Sequence, residues 1–178
     1  RMLLSTIATG IFLFATSKMR FLPKKQILQI VTIGLLITLH RITFYGAIKA
    51  SNVSIAISCF SSVALFTAIL DPLLHGKRPK VPEILTGLAV IVGIYIIFSV
   101  QQFYLKGILL SIASAFLASL FTILNKRISN TIPPEIITFY ELGTGFLLLT
   151  LMLPVWFIIN ESQFELPGFM DLIYLLLL

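Results

Sequence analysis

Charged residues are scarce in this chain of 178 residues: only 11% are Asp, Glu, Lys or Arg, whereas 58% are hydrophobic. Soluble domains carry roughly 25% charged residues, so this composition excludes a cytosolic enzyme, a secreted domain and a disordered segment. Cysteine is nearly absent as well. Cys59 stands alone in an apolar run, so the sequence offers no internal disulfide. The composition is that of a polytopic membrane protein.

Sequence motifs that carry chemistry are also missing. The chain has two histidines, and it contains no H-E-x-x-H or G-x-S-x-G motif and no nucleotide-binding P-loop. An intramembrane enzyme would need a catalytic set at depth, and an ATP-driven pump would need the P-loop. We therefore expect no catalytic residue, no cofactor and no metal site.

Long apolar runs make up most of the sequence. A membrane-spanning helix needs about 20 mostly apolar residues, and five runs reach that length: 27–48, 53–74, 81–100, 105–125 and 135–159. Partial runs lie at 2–17 and 169–178. Because the runs are long and do not alternate apolar with polar residues, the predicted fold class is an all-α membrane helix bundle.

The loops between these runs differ sharply in basic residues. Alternate loops carry only Lys49 and Lys106, whereas the others carry nine basic residues: Lys18, Arg20, Lys24, Lys25, Lys77, Arg78, Lys80, Lys126 and Arg127. Cytoplasmic loops are enriched in Lys and Arg. This predicts a multi-pass protein of the cytoplasmic membrane with loops 18–25, 75–80 and 126–130 in the cytoplasm. The net charge of +6 is thereby explained without nucleic acid as a partner.

A short internal similarity suggests a repeat. Residues 8–10, Ala-Thr-Gly, are followed by four large apolar residues, as are residues 143–145, Gly-Thr-Gly. The two runs that hold these segments are five spans apart, so equivalent helices would cross the membrane in opposite directions. Inverted repeats of this kind build many secondary transporters, although a match this short also arises by chance.

Residues 38–97 carry a resemblance to a known family. The motif begins with the segment 40–49, which contains His40, Phe44-Tyr45-Gly46-Ala47 and Lys49. A helix rich in small residues comes next. It is followed by Asp71-Pro72, the basic loop and a glycine-spaced helix at 87–95. This pattern resembles the EamA family of the drug/metabolite transporter superfamily. Arg41 departs from it, because relatives often have an aromatic residue there.

The resemblance implies a fold and a function. It implies ten helices in two inverted five-helix repeats, with residues 1–100 as a first repeat lacking its first helix and residues 105–178 as a truncated second repeat lacking the last two. It also implies secondary transport, mostly outward, of small metabolites such as amino acids or drug-like compounds. No substrate and no coupling ion is indicated, and both proton coupling and facilitated efflux fit.

Polar residues inside the spans are the candidates for a substrate pathway, because an ionisable group costs several kcal/mol within a bilayer unless it is paired or hydrated. Thr38, Arg41 and Tyr45 share one helical face with Gly34 and Lys49. We predict that this face forms one wall of a water-filled cavity, in which Arg41 is an anion-binding group. The alternative is that Lys49 and Arg41 extend to the outer interface.

His40 and Glu141 complete the set of candidate residues. His40 lies on a different face, where it either takes part in proton transfer or packs with a hydrogen bond to a neighbouring helix. Glu141 is the only carboxylate well inside a span, and it either titrates during transport or makes a structural hydrogen bond.

Two classes of function remain open at this stage. The favoured one is a secondary transporter, whose partners are a small-molecule substrate and the lipid bilayer. The alternative is a non-transporting membrane scaffold or receptor, but the short loops offer little surface for a protein partner.

Overall fold

A computed structural model describes residues 2–17, 21–98, 104–160 and 168. Every element within these residues is an α-helix: α1 (Met2–Ala15), α2 (Lys24–Ala50), α3 (Val53–Phe60), α4 (Val63–Leu74), α5 (Val81–Phe98), α6 (Leu105–Ile128) and α7 (Pro134–Asn160). The predicted all-α class is confirmed. The predicted partial span 169–178 lies outside the described residues.

Four segments within the described residues are long and apolar enough to cross a membrane: Lys24–Ala50, Val53–Leu74, Leu105–Ile128 and Pro134–Pro154. Shorter apolar helices cover Leu3–Ala15 and Val81–Ile96. Four of the five predicted full-length runs thus correspond to membrane-length segments. The fifth, 81–100, is described only as far as Phe98 and contributes a shorter apolar helix.

Short polar and proline-containing segments fix the helix ends. Pro23 precedes α2 and its carbonyl accepts hydrogen bonds from the N–H groups of Gln26 and Ile27 at 2.9 and 3.1 Å. Asn52 caps α3, because its side-chain oxygen accepts from the N–H of Ile55 at 2.8 Å. α7 begins at Pro134, where a proline loses no helical hydrogen bond.

Inter-helix packing divides the chain into two compact units. The first unit contains residues 1–35 and 132–178, and the second contains residues 36–131. α1, the start of α2 and α7 therefore belong to the first unit, whereas the rest of α2 and α3 to α6 belong to the second. The division into repeats 1–100 and 105–178 concerns internal symmetry and stays a prediction.

In the first unit, glycines bring helices together. A Cβ atom at Gly10 of α1 would lie 3.1 Å from the ring of Phe139 on α7. At Gly34 of α2, a Cβ atom would lie 2.9 Å from the Cβ of Thr144, also on α7. Membrane helices associate largely through such close packing, because lipid provides no hydrophobic force between them.

In the second unit, α6 is the central helix, and it packs on α3 and α4. Its inner face carries small buried residues: Gly107, Ser111, Ser114, Ala115, Ala118 and Ser119. The Ser111 hydroxyl donates to the carbonyl of Ala56 on α3, and the Thr67 hydroxyl on α4 donates to Ser119 Oγ at 3.1 Å. Small and hydroxyl-bearing side chains thus form the core of this unit, as is typical of membrane bundles.

Candidate functional site

His40 lies on α2 in the second unit and is held by Ser114 of α6. Its Nδ1 atom is 3.1 Å from the Ser114 carbonyl oxygen and 2.8 Å from Ser114 Oγ. The Ser114 hydroxyl also donates to the His40 carbonyl at 3.2 Å. Because a carbonyl oxygen only accepts, its contact requires the imidazole proton on Nδ1, which leaves Nε2 as an acceptor in the neutral ring.

Three phenylalanine rings surround this imidazole. Their centroids lie 6.1 Å (Phe44), 5.3 Å (Phe60) and 5.6 Å (Phe121) from that of His40. Ser114 is completely buried, whereas His40 is half-buried. Within the described part of the chain, Nε2 makes no hydrogen bond.

The predicted span 53–74, which passes beside His40, is interrupted in the middle. Phe60 is the last residue of α3, and α4 begins only at Val63. Across the break the backbone tightens to i−3 hydrogen bonds, from the N–H of Ser62 to Cys59 at 3.1 Å and from that of Ala64 to Ser61 at 3.2 Å. The predicted span 53–74 is thus built from two helices, separated by Ser61 and Ser62, whose backbones keep right-handed helical angles.

The break also carries a buried hydroxyl. Ser62 is 8% exposed, and its Oγ has no hydrogen-bond partner among the residues that the structure describes. The hydroxyl of Ser61 instead donates to the carbonyl of Ser58. In transporters, interrupted helices often line the substrate site, because freed polar groups there face a cavity.

Side-chain exposure increases along the predicted polar face of α2, from Thr38 to Tyr45. Thr38 is 2% exposed, Arg41 is half-buried and Tyr45 is 54% exposed. Arg41 makes no ion pair or hydrogen bond with the described residues. Among the described residues, the arginine therefore has no counter-ion although it lies within a membrane-length helix, which is compatible with an anion-binding group.

Glu141 belongs to the first unit, on α7. It is 7% exposed and has interactions within the structure. α2 approaches the same turn of α7 closely, because a Cβ at Gly34 would lie 3.2 Å from the Glu141 carbonyl oxygen. This carboxylate is therefore enclosed by helix packing.

Asp71 on α4 is occupied by neighbours. Its Oδ2 is 3.1 Å from Lys126 Nζ on α6, and its Oδ1 is 3.1 Å from His75 Nδ1. These contacts connect the ends of two helices, in keeping with a pairing role. No group of three or more His, Cys, Asp or Glu side chains arranged to hold a metal occurs within the described ranges.

The structure places His40, Thr38, Arg41 and Tyr45 on the same helix, α2, in the second unit, and Glu141 on α7 in the first unit. Sequence reasoning missed the phenylalanine cluster and the helix break. The available signal for the break was the group of serines at 58, 61 and 62 within an otherwise apolar run. The partner of His40 lies 74 residues away, and no local pattern indicates it.

Comparison with known proteins identifies the family. The model of the EamA-like transporter family matches residues 1–99, more than half of the chain. Neither curated proteins nor solved structures gave a match. Members of this family are transporters rather than enzymes. Together with its membrane-length helices, the match shows that this chain belongs to the EamA-like transporter family and is an integral, multi-pass membrane protein of the drug/metabolite transporter kind.

Proposed function

We propose that this protein exports small metabolites, such as amino acids or drug-like compounds, by alternating access coupled to protons. The observation that carries the proposal is Glu141, a carboxylate that is 7% exposed in the interior of a membrane-length helix. A charged carboxylate is costly at that depth. Binding and release of a proton at Glu141 would therefore change the free energies of the two access states.

The polar residues of the second unit are the proposed substrate contacts. Arg41 and Tyr45 offer a cation and a phenol along one face of α2. Thr38 lies on the same face but is 2% exposed, so its hydroxyl would meet substrate only in an access state that opens the packing around it. His40 offers a half-buried Nε2 acceptor beside the helix break. A carboxylate-bearing substrate would suit Arg41, whose guanidinium pairs with carboxylates through two parallel hydrogen bonds.

The packing of the second unit supports movement between two states. The buried face of α6 consists mostly of small residues, with Ile123 and Ile128 towards its C-terminal end. Helix interfaces lined by small residues allow the helices to slide or rock against each other with little repacking of side chains. The break at Ser61–Ser62 provides a second place where α3 and α4 can change their relative direction.

The proposed location is the cytoplasmic membrane, with loops 18–25, 75–80 and 126–130 in the cytoplasm. The support is the uneven distribution of Lys and Arg. The partners in this proposal are the small-molecule substrate and the bilayer, with no nucleic acid. The outward direction rests on the resemblance to the family.

The substrate class can be tested by growth. Cells expressing the full-length protein are challenged with a panel of toxic amino acids, their analogues and drugs, beside cells that carry an empty vector. Export predicts increased resistance to a subset of these compounds and lower intracellular accumulation of that subset. Unchanged resistance and accumulation across the whole panel, with the protein present in the membrane, would favour a non-transporting scaffold or receptor.

The coupling role of Glu141 can be tested separately with an exported compound in proteoliposomes. Glu141→Gln keeps the size of the side chain but fixes it neutral. We expect this variant to insert and to catalyse downhill exchange, while losing uphill transport driven by a pH gradient. Glu135→Gln is the matched control, because it makes the same change about 9 Å nearer the start of α7, at ~1.5 Å per residue. Parent-like uphill transport by Glu141→Gln would remove Glu141 from the coupling mechanism.

A further inference from the structure

Five exposed residues at the ends of α4 and α6 line an open surface cavity that the transport proposal does not use. Its volume is about 430 Å³, and its lining consists of Leu74, His75, Lys126, Arg127 and Asn130. All of these residues belong to the second unit. Two cations, an imidazole and an amide thus surround one cavity beside a single apolar side chain.

Local structure fixes the α4 side of this cavity. Gly76 adopts a left-handed conformation with φ of 64°, and the N–H groups of Gly76 and Lys77 bond to the carbonyls of Leu73 and Pro72 at 3.2 and 2.7 Å. This is a Schellman turn, which glycine favours at the position after a helix. His75 is held just before it, with Nδ1 2.7 Å from the carbonyl oxygen of Asp71.

An ion pair fixes the α6 side. Asp71 Oδ2 lies 3.1 Å from Lys126 Nζ, so α4 and α6 are joined at the rim of the cavity. Within the described ranges Arg127 makes no ion pair or hydrogen bond, and its side chain is exposed, as is that of Arg78 in the adjoining loop. The carboxylate of Asp71 therefore balances Lys126 and leaves Arg127 as uncompensated positive charge in the lining.

This charge favours an anion in the cavity. The ends of α4 and α6 are helix C-termini, which carry partial negative charge, so attraction for an anion comes from the side chains. Arginine and the asparagine amide supply hydrogen-bond donors suited to phosphate oxygens. Phosphate is the chemistry that this lining recognises best.

We propose that this cavity binds the phosphate group of an anionic phospholipid. The cavity lies at the end of two membrane-length segments, Val53–Leu74 and Leu105–Ile128, where lipid headgroups are found. Leu73 and Leu74 are 59% and 50% exposed beside it, so an apolar surface for an acyl chain adjoins the polar lining. Basic pockets between transmembrane helices bind anionic headgroups in this manner.

The test uses the full-length protein in neutral detergent, with bound lipid measured by native mass spectrometry. Phosphatidylglycerol is the anionic probe, phosphatidylcholine the zwitterionic one and inorganic phosphate the soluble one. We expect the parent to prefer phosphatidylglycerol. Arg127→Gln should weaken its binding about fivefold, since a basic residue near an anionic lipid contributes about 1 kcal/mol. Asn130→Ala, which keeps the charge, should weaken it in the same direction.

Two control variants remove a positive charge elsewhere. Arg78→Gln changes an exposed loop residue near the cavity, and Lys106→Gln changes the opposite end of α6; both should bind phosphatidylglycerol like the parent. Equal losses in Arg78→Gln and Arg127→Gln would indicate diffuse surface attraction and overturn the pocket. Displacement of phosphatidylglycerol by an equal concentration of inorganic phosphate would assign the site to a soluble anion and overturn the lipid proposal. Equal affinity for phosphatidylcholine would overturn it as well.

Discussion

Two glycines of α5 should respond in opposite ways to the same substitution. A Cβ atom at Gly87 would lie 2.7 to 2.9 Å from three atoms of Leu65 on α4, one of which is the backbone Cα at 2.8 Å. A Cβ atom at Gly93, six residues further along the same helix, meets no atom within 4 Å. The clash at Gly87 involves backbone, so a side-chain rotation cannot relieve it, and α4 and α5 must move apart.

The expected magnitude follows from two opposing effects. Replacement of glycine by alanine in a helix interior gains about 0.8–1 kcal/mol from helix propensity at both positions. Overpacking of a tight contact costs about 1–3 kcal/mol, and only Gly87→Ala incurs it. We therefore expect Gly93→Ala to stabilise the protein slightly, Gly87→Ala to destabilise it or leave it near the parent, and the two variants to differ by about 1–3 kcal/mol.

The assay is thermal unfolding of the purified full-length protein in detergent, monitored by loss of the monodisperse size-exclusion peak. At about 2–4 °C per kcal/mol for a chain of this size, the melting temperatures of the two variants should differ by several degrees. The parent and both variants are compared at one detergent concentration. Equal melting temperatures for Gly87→Ala and Gly93→Ala would refute the packing of α4 on α5 described here.

Two further predictions use single cysteines in a background where Cys59 is replaced by alanine. Lys106→Cys and Ser129→Cys lie at opposite ends of α6. If the basic loops are cytoplasmic, an impermeant thiol reagent added to intact cells should label Lys106→Cys but not Ser129→Cys. The reverse labelling pattern would contradict the orientation. On α2, Tyr45→Cys should react with a small polar reagent much faster than Thr38→Cys, because the native side chains are 54% and 2% exposed; similar rates would show that the described packing around Thr38 is wrong.

The candidate site divides into parts that the sequence predicted and parts that it did not. The face shared by Thr38, Arg41 and Tyr45 follows from helical periodicity alone, and so does the separation of His40 from that face. The hydrogen bonds between His40 and Ser114 do not follow from any local pattern, because α6 offers several serines at similar spacing. The choice among them depends on which face of α6 meets α2.

The sequence by itself determined the membrane class, the helical fold and the approximate bounds of most described helices, although not the division of the span 53–74 into α3 and α4. These properties are local: apolar length must match the bilayer, and prolines, Asn52 and the basic loops mark where each helix stops. Tertiary structure alone decided that Asp71 pairs with Lys126, 55 residues away, and that Phe60 at the end of α3 contacts His40. Apolar helix faces in lipid are nearly equivalent, so pairing depends on where glycines and serines allow two backbones to approach, and that is a property of both helices together.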